Sequence, residues 1–412
     1  MKVLYIYDYW TGGGAPASFR EMVVSLKHHG VQPVVCICKK EDSLFFDSVG
    51  IPTIVTGHLP ALFPNLYKGK RAPFRILKYF VRFHLTERKA LKVIHEKIDM
   101  SQIDLIHTNS ERNDIGCLIS REYGVPHIMH IREFADLDYH CNPIRLGYIS
   151  LFNKSTTKYI CISEAVKKHW VRKGLLENKM EVVYNGVRYE DINISSDSQK
   201  HSKILKLVIL GLVQKTKGQY LAIDAVSRLP RAIRENVTLD IYGICYPDYK
   251  AYLMEMIERL GVKQQINFFE PRKDVHQILG QYQIGLMCSY AEGFGRVTAE
   301  YMHAQLGVIA SDTGANPEIV DDGVNGLLFK YGDAQSLADC ILKFYNDRDM
   351  LINLSQAARE KALVNFTQRR NAQAVHHVYE KLIHSLGGVN LSSQACLYWH
   401  TKLQESNIKN AA

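Results

Sequence analysis

Short, largely apolar runs recur along the chain, and between them lie longer stretches whose apolar residues return every three or four positions. Residues 3–7, 34–38, 53–55, 104–108, 126–131 and 159–163 are such runs in the first half. In the second half they are 207–211, 237–242, 266–269, 284–288, 307–312 and 326–329. Runs that stay apolar instead of alternating suit parallel strands covered on both faces. The periodic stretches between them, among them 112–123, 165–172, 249–260, 298–304, 334–346, 350–365 and 368–386, predict helices. Strand and helix in alternation predict an α/β fold, and the same rhythm in both halves predicts two domains.

A chain of 412 residues has room for both. The domain boundaries read as 1–190 and 205–365. Between them, 191–204 reads as a linker, because 193–203 holds four serines and little apolar content. Residues 387–412 form a weakly patterned tail, with Leu397, Tyr398 and Trp399 as candidate anchors.

The most informative stretch joins the run 284–288 to the helix predicted at 298–304. Gly293 and Gly295 fall at the turn between them, where backbone N–H groups and the positive end of a helix point outward and no Cβ blocks a ligand. Such a turn suits a phosphate. Glu292 stands before it and Glu300 two helical turns on, spaced to hold hydroxyls at two ends of one ligand. A second strand–glycine–helix arrangement opens the chain, where Gly13 and Gly14 precede a helix bearing Met22, Val23 and Leu26.

Two glutamates with seven residues between, followed by a strand and a Gly-Ala-Asn-Pro-Glu turn at 314–318, resemble the retaining glycosyltransferases of the family 4 type. That family has GT-B architecture, two Rossmann-like domains facing a central cleft, and the resemblance runs over about 1–386. It implies a nucleotide diphosphate sugar, a UDP-sugar in the first instance, as donor substrate and no cofactor. Glu300 would meet the ribose, Glu292 the sugar hydroxyls, and Lys217 with Gly293, Phe294, Gly295, Arg296 and Val297 the diphosphate. Gly13, Gly14 and His130 would line the cleft close to donor and acceptor, with His130 and Glu292 as catalytic residues. Phe269, Glu270, Pro271 and Arg272 would meet the base, and the helix at 366–386 would cross back to the first domain. Where the family pattern carries Arg after Gly211, this chain carries Leu212; Lys215 or Arg296 is the candidate replacement cation. Asp136 and Asp138 spell the Asp-x-Asp of metal-dependent transferases of another architecture, but they follow the wrong element. No metal is expected, and activity is expected to survive EDTA.

Charge and composition add a location. Of the net charge of +9, eight charges sit in the first half, with 27 Lys/Arg against 19 Asp/Glu in 1–190. Residues 65–97 hold ten Lys/Arg and two Glu among aromatic and aliphatic positions. They read either as a helix lying on an anionic membrane or as a crossover helix with a solvated basic face and a buried aromatic one. Nine cysteines without metal-site spacing read as reduced core residues. No cleavable leader and no apolar run long enough to span a bilayer are expected. The combined expectation is a cytoplasmic enzyme, peripheral at the inner face of a membrane, acting on a saccharide or lipid-linked saccharide acceptor in surface polysaccharide assembly and binding no nucleic acid. Two alternatives remain at this level: a nucleotide-sugar epimerase of the same architecture, and a glycan-binding scaffold without activity.

Overall fold

In the computed structural model, residues 1–7, 10, 13–65, 72–272 and 274–386 are described. The anchors expected at 397–399, and residues 66–71 of the basic segment, lie outside them. The chain divides into two units, Met1–Val183 with the chain from Asn371 onward, and Tyr184–Arg370.

The first unit is built on a seven-stranded parallel sheet. Its strands are β1 (Lys2–Ile6), β2 (Gln32–Ile37), β3 (Thr53–Val55), β5 (Leu105–Asn109), β6 (His127–Ile131), β8 (Lys158–Cys161) and β9 (Met180–Val182), in the order β3-β2-β1-β5-β6-β8-β9. The short strands β4 (Leu62–Pro64) and β7 (Cys141–Pro143) pair antiparallel beside it. Alternate side chains of β1 serve opposite faces. Val3 and Tyr5 join Phe19, Met22, Val23 and Leu26 of the helix Gly14–His28. Leu4 and Ile6 join Ala90, Ile94, Ile115 and Ile119. From Asn371 on, the last helix, Gln368–Ser385, belongs to this unit, and its Ala372, Val375, Val378, Tyr379 and Leu382 complete the first of these clusters.

The second unit holds a six-stranded parallel sheet: β10 (Leu205–Leu210), β11 (Val237–Tyr242), β12 (Ile266–Phe269), β13 (Ile284–Met287), β14 (Gly307–Ser311) and β15 (Leu327–Phe329), in the order β12-β11-β10-β13-β14-β15. All its pairings are parallel, and both faces are covered by helices. Each unit is therefore an open, doubly wound sheet of the Rossmann kind. In each the strand order reverses once, between β1 and β5 in the first unit and between β10 and β13 in the second.

The segment expected to be a linker packs as part of the second unit. Asn193 N–H donates to His276 O, Ser195 Oγ–H to Tyr282 O, and the fully buried Lys200 donates to Ser195 O while pairing with Asp197. Residues Asp197–Lys200 form a short helix capped by Ser196, and composition did not signal the burial of this segment, because its polar groups are satisfied by the neighbouring chain.

Candidate functional site

In doubly wound sheets, ligands bind outside the carboxyl ends of the strands where the order reverses. In the second unit that place lies between the loops following β10 and β13. The first loop runs from Gly211 to Gly218 and ends in the short turn Lys215–Lys217; the second runs from Cys288 to Gly295. They are knitted together. Tyr290 N–H donates to Thr216 O, and Gly218 sits so close to Cys288 that a Cβ there would lie 2.0 Å from the Cys288 carbonyl oxygen. Across this crevice, Lys217 Nζ meets Glu292 Oε2 at 2.8 Å. Lys215, on the same turn, is exposed.

Glu292 is supported from the end of β14. Ala315 N–H donates to Glu292 O, and a Cβ on Gly314 would fall within 2.7 Å of the Glu292 nitrogen. Gly295 then caps the helix Arg296–His303 in the left-handed region, at φ 78°, which starts the helix two residues earlier than the spacing predicted. The helix N-terminus therefore opens onto the same crevice as Gly293. The side chain of Phe294 does not face a ligand: it is buried between Tyr184 and Phe366, leaving only its backbone to the turn. Arg296 Nε approaches Glu300 Oε1 at 3.3 Å, and His276 Nε2 approaches the same oxygen at 3.5 Å. Arg296 thus braces Glu300 here, which leaves Lys217 as the cation facing Glu292. Val297 follows in the first turn of the helix.

At the far edge of this sheet Phe269 ends β12, partly exposed and stacked on Tyr242 at 4.6 Å. Glu270 and Pro271 follow, exposed, and Arg272 pairs with Asp274 at 2.7 Å. Leu212, standing where a second cation was sought, offers its carbonyl to Gln219.

The first unit's reversal point lies between the loops after β1 and β5. Gly13, at φ 95°, precedes the first turn of the helix that starts at Gly14, and a Cβ there would meet nothing within 4 Å. Beyond β5 and β6 the chain buries a cluster of charge. Arg132 Nε donates to Asn109 Oδ1, Arg132 N–H donates to Glu111 Oε2, and Arg112 Nε lies 3.5 Å from Glu133 Oε2. Arg112 also stacks over the Trp10 ring at 4.7 Å. Burial pushes the Glu111 carboxyl up to about 8, against the opposing pull of the Arg132 N–H and the Arg112 guanidinium.

His130, in β6, is fully buried. Its Nδ1 meets His107 Nε2 at 3.2 Å, and His107 Nδ1 meets the Tyr379 hydroxyl at 2.5 Å. Burial first, and the Arg132 charge second, hold both imidazoles well below the usual histidine range. Neither His107 nor Tyr379 was singled out from the sequence. They are 272 residues apart, and no local pattern could have joined them.

Asp136 is committed to His169 at 2.8 Å and Lys173 at 2.7 Å, and Asp138 accepts from the Phe134 and Tyr139 N–H groups. Among the described residues, no group of three or more His, Cys, Asp or Glu side chains is placed to hold a metal ion.

Residues 12–191 match the model for Glycosyltransferase Family 4, and 191–361 the model for Glycosyl transferases group 1. The chain is 28% identical to an uncharacterized glycosyltransferase of Methanocaldococcus jannaschii over 75% of its own length and 82% of the relative's. It is 23% identical to the amylovoran biosynthesis glycosyltransferase AmsK of Erwinia amylovora, over 82% and 84% of the two chains. Among solved structures it resembles Anabaena Alr3699/HepE in complex with UDP, with a TM-score of 0.73 at 21% identity over 92% of this chain and all of that one. HepE has also been solved with UDP-glucose.

Proposed function

This chain belongs to the GT-B glycosyltransferases built from a family 4 and a group 1 domain, and from that premise we propose that it transfers a sugar from a UDP-sugar to a saccharide acceptor with retention of configuration. The observation that carries the proposal is the Lys217–Glu292 pair across the second unit's reversal point, with the helix Arg296–His303 starting beside it. The diphosphate would lie against the backbone N–H groups of 293–297 and take Lys217 as its counter-ion, freeing Glu292 for the donor's sugar hydroxyls. Glu300, braced by Arg296 and His276, would accept from the ribose hydroxyls, and 269–272 would meet the base. The relative solved with UDP and UDP-glucose supports UDP as the nucleotide.

In the reaction, the acceptor hydroxyl oxygen would bond to the anomeric carbon on the face from which the diphosphate departs. The bond between that carbon and the β-phosphate oxygen breaks, and the hydroxyl proton passes to the departing phosphate. UDP leaves carrying both the electron pair and the proton. Lys217 and the helix N-terminus would stabilise the charge that develops on the diphosphate, so the step calls for no metal ion. The anomeric configuration of the product, read by NMR, tests retention.

The reading of a membrane-bound acceptor is supported by the helix Ala72–Lys97, which is apolar on two opposite faces. Ile76, Tyr79, Phe83, Ala90 and Ile94 pack inward. Phe74, Leu77, Val81 and Leu85 return every three or four residues on the outer face, between 50% and 73% exposed, with Arg75, Lys78, Arg82 and Lys89 along one flank. That is the pattern of a helix lying on an anionic bilayer. No helix among the described residues is long and apolar enough to cross one. A peripheral enzyme at the inner face of a membrane, extending a lipid-linked saccharide in polysaccharide assembly, fits these features and the naming of AmsK.

Thermal shift against UDP-, GDP- and ADP-sugars tests the donor: a ligand at 100 times its Kd stabilises by about 2.7 kcal/mol. A rise with UDP-sugars, followed by acceptor-dependent release of UDP, is expected. No shift with any nucleotide sugar would overturn the reading.

A further inference from the structure

The chain enters the second unit after Val183 and leaves it after Arg370. Inside that unit the two end segments run side by side. Val187 N–H donates to Phe366 O at 2.9 Å and Gln368 N–H to Val187 O at 3.2 Å. This parallel bridge is so tight that a Cβ on Gly186 would fall 2.4 Å from the Thr367 carbonyl oxygen. Whatever shifts one segment therefore shifts the other.

Both segments rest on the element that begins at the donor turn. Phe294, within the turn, packs its ring against Tyr184 of the first segment and Phe366 of the second, with centroids 6.2 and 5.6 Å away. Those two rings meet each other at 5.9 Å. The last residue of the helix Arg296–His303 also touches both segments: the His303 ring stacks on Tyr189 at 5.0 Å, and its Nε2 lies 3.4 Å from Phe366 O. The Tyr184 hydroxyl donates to Glu318 at 3.1 Å, three residues past the Ala315 whose N–H holds the Glu292 carbonyl. Phe294 and Phe366 are buried, and close-packed rings respond to a push by moving together.

We infer that Phe294 is a positioning residue: a diphosphate seated on the N–H groups of 293–297 shifts the turn, and the Phe294 ring passes that shift to both segments and tightens the bridge between Val187 and Thr367. The inference rests on the donor reading of the second unit's crevice. The backbone of 294 binds the donor, and its side chain carries donor occupancy to both connections of the chain with its first unit. Linkage makes the effect reciprocal, so a change that loosens the bridge also alters UDP affinity.

Hydrogen exchange of the full chain, read on peptides spanning 184–190 and 366–370, tests this once thermal shift has established that UDP binds. In the wild type, saturating UDP should slow exchange of the Val187 and Gln368 amides about tenfold, within the usual range of coupling between two sites. Phe294→Leu keeps an apolar side chain and removes the ring. It should still bind UDP, lose most of that slowing, and lower kcat about tenfold with a smaller change in the donor KM. A ring that served the fold alone would lower the melting temperature and leave the exchange response and kcat intact, which would overturn the inference. UDP that binds without slowing either amide would overturn it too, while leaving the donor reading in place. A chain that binds no UDP ends both. Should Phe294→Leu fold poorly, the wild-type exchange alone decides.

Discussion

Lys217 Nζ and Glu292 Oε2 stand 2.8 Å apart across the one place in the second sheet where strand order reverses. The pair is 75 residues apart in sequence, half-buried, and held by two loops that hydrogen-bond to each other. As a partly exposed ion pair it adds only about 0.5 kcal/mol to stability, so little stability should be lost with it. Glu292→Gln should leave the melting temperature within a degree or two and lower kcat by about a hundredfold, and Lys217→Met should chiefly raise the donor KM. Steady-state kinetics separate these; equal, small effects from both variants would remove the pair from the reaction.

Glu300 is expected to act on binding. Hydrogen bonds from hydroxyls to a buried carboxylate contribute about 1.5–3 kcal/mol. Glu300→Ala should therefore weaken UDP binding at least tenfold by calorimetry, and weaken binding of a deoxyribose analogue less. Loss of Arg296 or His276 should give a milder version of the same defect, since each touches the Glu300 carboxylate.

Two glycines with similar backbone angles separate packing from strain. Gly218, at φ 71°, would place a Cβ 2.0 Å from a carbonyl oxygen of the neighbouring loop, whereas Gly261, at φ 66°, would meet nothing within 4 Å. Gly261→Ala should cost about 1 kcal/mol, the left-handed penalty alone. Gly218→Ala should cost more than twice that and weaken UDP binding as well, because the loops carrying Lys217 and Glu292 must move apart. Urea unfolding with and without UDP measures both effects.

Stability should fall toward acid. His58 and His127 are held down by burial at about 4 and about 3, and His107 and His130 lie well below the usual range for the same reason. Below pH 6.5 the unfolded chain binds protons that these folded histidines refuse, so their contribution is present above that pH and lost as pH falls toward 4. Burial raises Glu111 to about 8 and Asp114 to about 7, and their excess proton binding in the fold opposes the trend. Four groups outweigh two, and the urea midpoint should drop between pH 6.5 and 5. A midpoint that rises over that window would contradict the burial of neutral histidines.

Leu77→Glu and Val81→Glu, on the outer face of the helix Ala72–Lys97, should abolish sedimentation with vesicles containing anionic phospholipid while leaving transfer to a short soluble acceptor intact. Binding by the wild type should weaken as salt rises, since exposed cations contribute to it. Equal sedimentation of variants and wild type would assign this face another role.

Much of this was legible in the residues themselves. Largely apolar runs marked most of the parallel strands, and Gly293 with Gly295 marked the turn onto which a helix opens. Other features were not, for physical reasons. Phe294 stands inside the motif, yet its ring is claimed by Tyr184 and Phe366, contacts that only the folded unit supplies. Residues 191–204 have a linker's composition, but neighbouring carbonyls satisfy their polar groups and Lys200 is buried. The helix at 72–97 was ambiguous because both of its faces are apolar, and sequence does not say which of the two is covered. Arg296, a candidate replacement cation, stands four residues before Glu300, and its contact with that carboxylate is one the folded helix supplies.

A crystal structure of the full chain with UDP bears most directly on the central claim. The account predicts the diphosphate between the loops after β10 and β13, in hydrogen-bond contact with backbone N–H groups of 293–297 and with Lys217, and the ribose on Glu300. UDP bound elsewhere, or a ribose out of reach of Glu300 with Lys217 still locked to Glu292, would contradict it.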